Sequence, residues 1–320
     1  LWAAFDGVRN ARVTWLDAPD EASAQAVRRR DELLRRVAGI IKRLELTEDE
    51  VCALPDALRL IGEKKLYPNA FDLKSPLAPF FPADLLDEAS PWVTYSRYEE
   101  FGTGGSIHMQ FVDFRSLFTL HLLSPDGRQG GIQVLREFTE SKGKQSVPSG
   151  TTLALLRRAL VPARNGKLLV SPVVESLQLI VVALPQSHFF KFTLDRAEFL
   201  AGRPGLMPIT RDHPAGVTGY EFLFLGSPTI ALQGDERKEN PNGESPVLGK
   251  YKRLRDVPSA LETCVLCHGA PDRQRLFGSF PGNKEAFLER DPEAAAFAVN
   301  IKQSSEDWKL YLRLREEAGE

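Results

Sequence analysis

The chain contains few of the residues that crosslink chains or bind metals. Among its 320 residues there are three cysteines, two methionines and five histidines. Three cysteines exclude a disulfide framework of the kind that stabilises small secreted domains. The 41 basic and 43 acidic residues nearly cancel, so the chain lacks the overall positive field of proteins that bind nucleic acid through charge. We therefore expect no nucleic-acid partner.

Long apolar segments are also missing. The longest apolar run, near Leu177 to Leu184, has the length of a strand and falls short of the roughly 18 residues that a membrane-spanning helix needs. We therefore expect no membrane span. The chain begins at Leu1 without a basic-then-apolar leader. We interpret it as a mature chain from which a signal peptide has been removed, which predicts a periplasmic or other extracytoplasmic location.

The N-terminal region, residues 1–91, begins with a helical pattern. From Ala26 to Leu44 the apolar residues recur at steps of three and four, and arginines occupy many of the spaces between them. This spacing predicts an amphipathic helix. The arginines, among them Arg28 and Arg36, are expected to form its solvated face.

A second, short helix and a connection complete this region. Thr47 and Glu50 form a capping-box pattern, and Cys52 in the helix that follows is expected to be a buried thiol, as free cysteines usually are. The prolines between Tyr67 and Pro91 indicate an irregular connection that wraps over the surface.

Residues 92–234 are rich in strand-length apolar segments separated by turn residues. In one of them Phe190 and Phe192 alternate with Lys191, so a strand would place the lysine on the opposite face. Pro125-Asp126-Gly127 and Asn165-Gly166 are typical of hairpin turns. Neighbouring strands joined by tight turns favour an antiparallel sheet or sandwich. The predicted strands are Trp92–Tyr98, Ile107–Phe114, Leu117–Leu123, Gly131–Phe138, Thr151–Val161, Val173–Leu184, Phe189–Asp195 and Tyr220–Leu225.

Residues 235–320 form the third predicted region. It opens with a polar loop, Asp235 to Ser245, and ends in a segment where Trp308, Tyr311 and Leu312 have helical spacing. The sequence therefore predicts an α+β fold in which an antiparallel β-rich middle is flanked by helical N- and C-terminal segments. We expect the C-terminal segment to pack on the β region, because too few residues follow position 268 to enclose a large ligand alone.

The sequence Cys264-Val265-Leu266-Cys267-His268-Gly269 is the motif with the most specific spacing. Two cysteines three residues apart on a helical turn project from the same side. Each thiol can then form a thioether to one of the two vinyl groups of a haem, and the following histidine is placed to ligate the iron. Asp256 and Pro258 predict the start of the helix that carries the motif.

This motif resembles the CxxCHG haem-attachment signature of c-type cytochromes. The resemblance covers about ten residues, and it implies one covalent haem c bound through Cys264 and Cys267, with His268 as the proximal ligand. Small cytochromes c supply a distal methionine after the motif, whereas Met109 and Met207 both precede it here. The sixth ligand must therefore come from the β-rich region or from another chain, unless the site is open.

Two other chemistries use the same residue types. Zinc could take Cys264, Cys267 and His268 as three ligands, but no second cysteine pair is present and adjacent Cys-His geometry is poor for one metal. A thioredoxin-like redox pair needs the motif to follow a strand in a βαβ unit, and no such unit is predicted. A plain structural disulfide, or a motif that is not used at all, is the third alternative.

Two residues are candidates for the distal ligand. Met207 lies between Gly205 and Pro208, a sequence that presents a side chain from a restricted loop; it could equally pack on the core. His213 follows Asp212, which could orient the imidazole, but most single histidines are not ligands. We favour Met207 over His213. The other three histidines upstream of the motif lie on or beside predicted strands and are expected to be satisfied within the sheet: His108, His121 and His188.

Basic residues flank the motif, and they could pair with haem carboxylates or bind an acidic redox partner; a solvated helix surface is the alternative. They are Lys250, Lys252, Arg253, Arg255, Arg273 and Arg275. The motif and its surroundings favour an extracytoplasmic mono-haem protein that transfers electrons. The other hypotheses are a haem enzyme or gas or peroxide sensor with an open sixth site, and a structural haem-bearing subunit of a redox complex.

Overall fold

The computed structural model describes residues 20–95, 116–140, 147–183, 187–209, 291–304 and 306–318. A six-stranded sheet forms the centre, and helices lie at both ends of the chain. This arrangement confirms the predicted α+β class. The helices are α1 (Asp20–Arg43), α2 (Glu48–Cys52), α3 (Ala57–Lys64), α4 (Gly127–Glu140), α5 (Arg196–Leu200), α6 (Asp291–Ser304) and α7 (Glu306–Glu317). The strands are β1 (Val93–Tyr95), β2 (Ser116–Leu123), β3 (Thr152–Pro162), β4 (Leu168–Val181), β5 (His188–Leu194) and β6 (Leu206–Pro208).

The strands lie in the sheet in chain order, β1 to β6, and every neighbouring pair is antiparallel. The predicted turn at Asn165-Gly166 is confirmed: it joins β3 to β4, and Gly166 has a φ of +78° that favours glycine. Two register shifts interrupt the β3–β4 pairing near Arg158. Of the predicted strands, Ile107–Phe114 and Tyr220–Leu225 lie outside the described residues, and β6 was not predicted.

The prediction of a strand at Gly131–Phe138 is wrong, because this segment lies in helix α4. The preceding Pro125-Asp126-Gly127 leads into that helix rather than into a hairpin. Ile132 and Leu135, three residues apart, are buried against the sheet. A Cβ at Gly131 would lie 2.9 Å from Val93 Cγ2, so glycine here allows a close approach of helix to sheet. The segment has the composition of a strand, but its apolar residues form a narrow stripe along one side of a helix.

One side of the sheet, which we call the core face, is fully used for packing. It carries apolar residues of four strands: Ala154, Leu156, Leu177, Leu179, Phe190, Phe192 and Leu206. Helix α3 and the connection after it pack on this face. The connection between Tyr67 and Pro91 has no helix or strand, as expected, but it is more than a surface segment, because it buries Phe80, Phe81 and Leu85 in the same cluster.

The N- and C-terminal helices pack together in a second cluster. Leu34, Val37 and Ile41 of α1 contact a cluster that also contains Trp308 and Tyr311 of α7. The same cluster includes sheet residues from β2, β3 and β4 (Leu117, Leu160 and Leu168). Helices α1 and α7, which the sequence analysis assigned to separate regions, therefore share a core with the sheet. The proposed boundary at residues 234–235 lies outside the described residues.

Local predictions near the N-terminus have mixed outcomes. The capping box is confirmed: the Glu50 amide donates to Thr47 Oγ1 at 3.2 Å and the Thr47 amide donates to Glu50 Oε2 at 2.7 Å. Cys52 is exposed, so the prediction of a buried thiol is wrong. Helix α2 has only five residues, and Val51 takes its buried position. Within the described ranges, no helix has the length and apolar character needed to cross a bilayer.

Candidate functional site

The haem-attachment motif and one distal candidate cannot be placed. Cys264, Cys267, His268 and His213 lie outside the described residues, as do the basic residues that flank the motif. Met207 is described. It is the middle residue of β6, and its side chain is 47% exposed. The side chains near Met207 therefore define the part of the candidate site that the structure describes.

Met207 ends a row of residues that runs across four strands. Arg157 of β3 is the register partner of Ser176, Ser176 of Thr193, and Thr193 of Met207. Adjacent strands are about 4.8 Å apart, so the row spans ~14 Å. Because residues opposite each other in a ladder point to the same face, all four side chains lie on the side away from the core face. We call this side, with Lys191, the polar face.

Lys191 lies on the polar face two residues from Thr193, where the alternation of β5 with Phe190 and Phe192 predicted it. Its burial was not predicted: only 1% of the residue is exposed. A buried ammonium group is costly unless a negative or polar group compensates the charge. The amide of Ile209 donates to the Lys191 carbonyl at 2.7 Å, and this bond holds the strand that carries Met207 against the strand that carries the lysine.

The second cation of the polar face has a carboxylate beside it. Arg157 Nε lies 2.7 Å from Glu175 Oε2 and donates to Ser116 Oγ at 3.0 Å. Ser116 Oγ in turn donates to Glu175 Oε2 at 2.5 Å. The arginine side chain is 4% exposed and the glutamate side chain 24%. These three residues form a compact group in which the positive charge is locally neutralised.

Apolar side chains adjoin these polar groups. Leu155 of β3 and Gln178 of β4 are aligned with Lys191, and both are half-buried. In the next row Ile180 pairs with Phe189. Helix α4 packs over the part of this face nearest β1 and β2. The polar face thus combines an apolar floor, a buried cation and, at its edge, an exposed thioether.

The two described histidines lie on the opposite side of the sheet. His121 is buried, its Nδ1 lies 3.1 Å from Thr94 Oγ1, and its Nε2 lies 2.9 Å from Thr119 Oγ1. The ring of His188 lies 5.0 Å from that of Phe71, on the core face. His121 thus has partners within the sheet, as predicted. His108, for which the same was expected, lies outside the described residues.

No metal centre is formed by the described residues alone: within them, no group of three His, Cys, Asp or Glu residues could hold a metal ion. Haem iron needs only one or two protein ligands, with an apolar surround and cations for the carboxylates. Among the cysteine, methionine and histidine residues of the described ranges, Met207 alone lies on the polar face. Met207 is therefore the described residue of this face that could bind a haem iron, and a proximal ligand would have to come from elsewhere in the chain.

Comparison with known proteins identified no relative of this chain. No protein-family model, no curated protein and no solved structure matches this chain. Its function has to be argued from its own residues.

Proposed function

We propose that this chain is an extracytoplasmic protein that carries one covalent haem c and transfers electrons. The observation that carries the proposal is the sequence Cys264-Val265-Leu266-Cys267-His268-Gly269 in a chain with only one other cysteine, Cys52. Cys52 is exposed at the end of a short helix. It is neither paired in spacing with the motif nor followed by histidine, so it serves as an internal control.

The attachment chemistry requires no external oxidant. Cys264 and Cys267 each add a thiol across a vinyl double bond of the haem. A carbon–sulfur bond forms, the thiol proton ends on the neighbouring carbon, and the net electron count is unchanged. His268 would bind the iron. The haem supplies one-electron redox chemistry, and the chain orients it and sets its potential.

The polar face supports this assignment from the distal side. Met207 presents a thioether from a short edge strand, between Gly205 with a φ of +73° and Pro208. Because β6 is paired with β5 at this position and Pro208 fixes its own φ, little conformational freedom is lost on ligation. Thioether ligation also raises the reduction potential relative to a second histidine. Both features suit an electron carrier in an oxidising compartment.

The electron has to come from, and go to, a separate redox protein. We propose that an acidic partner binds near the basic residues that flank the motif, since complementary charge accelerates encounter. These residues include Lys250, Lys252 and Arg253 before the motif and Arg273 after it. The acidic partner is inferred from the sequence alone. Because salt screens surface charges, raised ionic strength should slow electron transfer with this partner.

Mass spectrometry of haem-replete protein tests the proposal. The chain should be produced with an export signal in a host that attaches haem c. After denaturation, one haem should remain on the peptide that contains Cys264 and Cys267. Cys264→Ala and Cys267→Ala should each retain one thioether, which shifts the pyridine haemochrome band to longer wavelength. The matched control, Cys52→Ala, should keep both thioethers, and an unmodified motif peptide in the parent protein contradicts the proposal.

A further inference from the structure

We propose that the exposed side of helix α1 binds the surface of an anionic phospholipid bilayer. Residues 28–43 of this helix contain seven basic and two acidic residues, whereas the charges of the whole chain nearly cancel. The balance of the whole chain therefore hides a local concentration of positive charge on one element. This inference goes beyond the proposed function and does not depend on the haem.

The cations of α1 form two rows along the helix. Residues seven apart lie nearly in line, because seven residues make almost two helical turns, and each row spans about 21 Å at 1.5 Å per residue. The five arginines of the rows are exposed and the lysine is half-buried, while the opposite side of α1 packs in the cluster with α7. The rows consist of Arg28, Arg35 and Lys42 and of Arg29, Arg36 and Arg43.

Ion pairs within the helix neutralise part of this charge. Arg35 Nη1 lies 3.1 Å from Glu32 Oε2, and Arg36 Nε lies 2.8 Å from Glu32 Oε1. The second carboxylate of the stretch, Asp31, pairs with Arg30. The arginines of the rows that form no ion pair with any residue the structure describes are Arg28, Arg29 and Arg43. Their charges are available to an anionic partner.

Apolar side chains lie beside these arginines. Leu33 is 45% exposed, and Leu44, which follows the helix directly, is 61% exposed. Leu33 neighbours Arg29 and Arg36 on the helix surface, because residues three and four apart are adjacent there. A helix bound at a membrane surface places its apolar side chains at the boundary of the acyl chains and its cations among the headgroups. A purely ionic partner would leave the leucines in water, so their position favours a bilayer.

The extent of the charge also suits a bilayer. The two rows are about 100° apart around the helix axis, which makes the charged surface convex. Headgroup phosphates form a continuous plane, and arginine side chains are long enough to reach that plane from either row while their apolar stems stay on the helix. A helix that lies flat on the bilayer can therefore use the free arginines of both rows together.

Cosedimentation of the full chain with lipid vesicles tests the inference. The chain should bind vesicles made of equal parts of phosphatidylglycerol and phosphatidylcholine, and added salt should weaken the binding. The combined substitutions Arg28→Gln, Arg29→Gln and Arg43→Gln should lower the affinity about a hundredfold, because each cation near an anionic surface contributes about fivefold. Urea unfolding checks that the variant keeps its fold, which exposed positions and the good helix propensity of glutamine lead us to expect.

The matched control combines Lys64→Gln, Lys65→Gln and Lys74→Gln. It removes the same charge from exposed positions outside α1, and the affinity should change little. Equal losses in the two triple variants overturn the inference, because they would show that only the total charge matters. Equal binding of the parent to vesicles of phosphatidylcholine alone also overturns it.

Leu33→Gln separates a bilayer from a soluble polyanion or an acidic protein. The substitution keeps every charge of α1 but removes the apolar contact, so the affinity for the same vesicles should fall about fivefold. A Leu33→Gln chain that binds these vesicles as tightly as the parent overturns the inference. None of these results bears on covalent haem at the motif, so failure here leaves the proposed function intact.

Discussion

Individual residues show what a sequence pattern predicts correctly and what it misses because it does not report burial. Alternation along β5 correctly places Lys191 opposite the phenylalanines, but only the fold shows that this face is covered there. Cys52 illustrates the reverse error, since a thiol expected inside is exposed because Val51 fills the only inward position of a five-residue helix. His121 was foreseen as a sheet histidine, whereas its contact with Thr94 depends on the β1–β2 register.

At this scale the distal ligand can be tested directly. Met207→Leu should convert a low-spin iron to high-spin and remove the near-infrared sulfur-to-iron band. Because the side chain is 47% exposed, the substitution should leave the unfolding free energy nearly unchanged, so a spectral change reports ligation. Absorption and magnetic circular dichroism spectra provide the measurement.

Met109→Leu is the matched control and should keep the low-spin spectrum. If His213→Ala alone removes that spectrum, the assignment of Met207 is wrong. If neither Met207→Leu nor His213→Ala changes the spectrum, the ligand comes from elsewhere or the sixth site is open, and the sensor or enzyme hypothesis gains support.

Among the elements that the structure describes, the contact between α7 and the segment after α1 carries a polar network around Glu45. Glu45, whose side chain is 2% exposed, accepts hydrogen bonds from Tyr311 Oη at 2.9 Å and from Arg315 Nη2 at 2.7 Å. Arg315 also donates to the Arg164 carbonyl at 2.7 Å. Burial, together with the charge of Glu45, raises the pKa of Tyr311, so its hydroxyl remains a donor throughout the accessible pH range.

This network predicts unequal effects of three substitutions on stability. Glu45→Ala leaves a half-buried arginine without its carboxylate and should cost about 3–5 kcal/mol. Tyr311→Phe removes one hydrogen bond while the ion pair remains, and it should cost about 1–2 kcal/mol. Glu306→Ala removes an exposed ion pair with Lys309 and should have no measurable effect. Urea unfolding provides the three values, and equal values for Glu45→Ala and Glu306→Ala would contradict the prediction.

The sequence predicts the elements of this contact but not the contact itself. The spacing of Trp308 and Tyr311 indicates a helix with an apolar side, and the pattern around Leu34 indicates another. Tyr311 and Glu45 are separated by 266 positions in the chain, and a periodicity within one segment carries no information on such a partner. For the same reason, helix α4 was missed: its Gly131 reflects the proximity of β1 and β2, which local composition does not record.

At the scale of the whole molecule, the described residues form three apolar clusters on one sheet, and two of these clusters contain a tryptophan. Trp92 lies in the cluster on the core face and Trp308 in the cluster of terminal helices. Strand β3 contributes Leu156 to the first cluster and Leu160 to the second. Unfolding of β3 would therefore disrupt both clusters together. The described parts of the three regions therefore have the packing of one cooperative unit.

The two tryptophans provide the test of this cooperativity. In protein labelled with 5-fluorotryptophan, the fluorine resonances of Trp92 and Trp308 should disappear at the same urea concentration, because both clusters depend on β3 and β4. Trp92→Phe and Trp308→Phe assign the two signals and separate them from those of Trp2 and Trp15. A lower midpoint for Trp308 would show that the terminal helices unfold before the sheet.

The strand order also has a consequence for the route by which the chain assembles. Each strand pairs with the strand just before it in the chain, so the sheet can grow by pairing sequential strands in the order of synthesis, at a modest entropic cost for each step. Helix α1 is made early, yet its apolar side is completed only when α7 arrives. The contact between α1 and α7 should therefore be the slowest to form during folding. Until it forms, the side chains of Leu34 and Val37 are partly exposed to solvent.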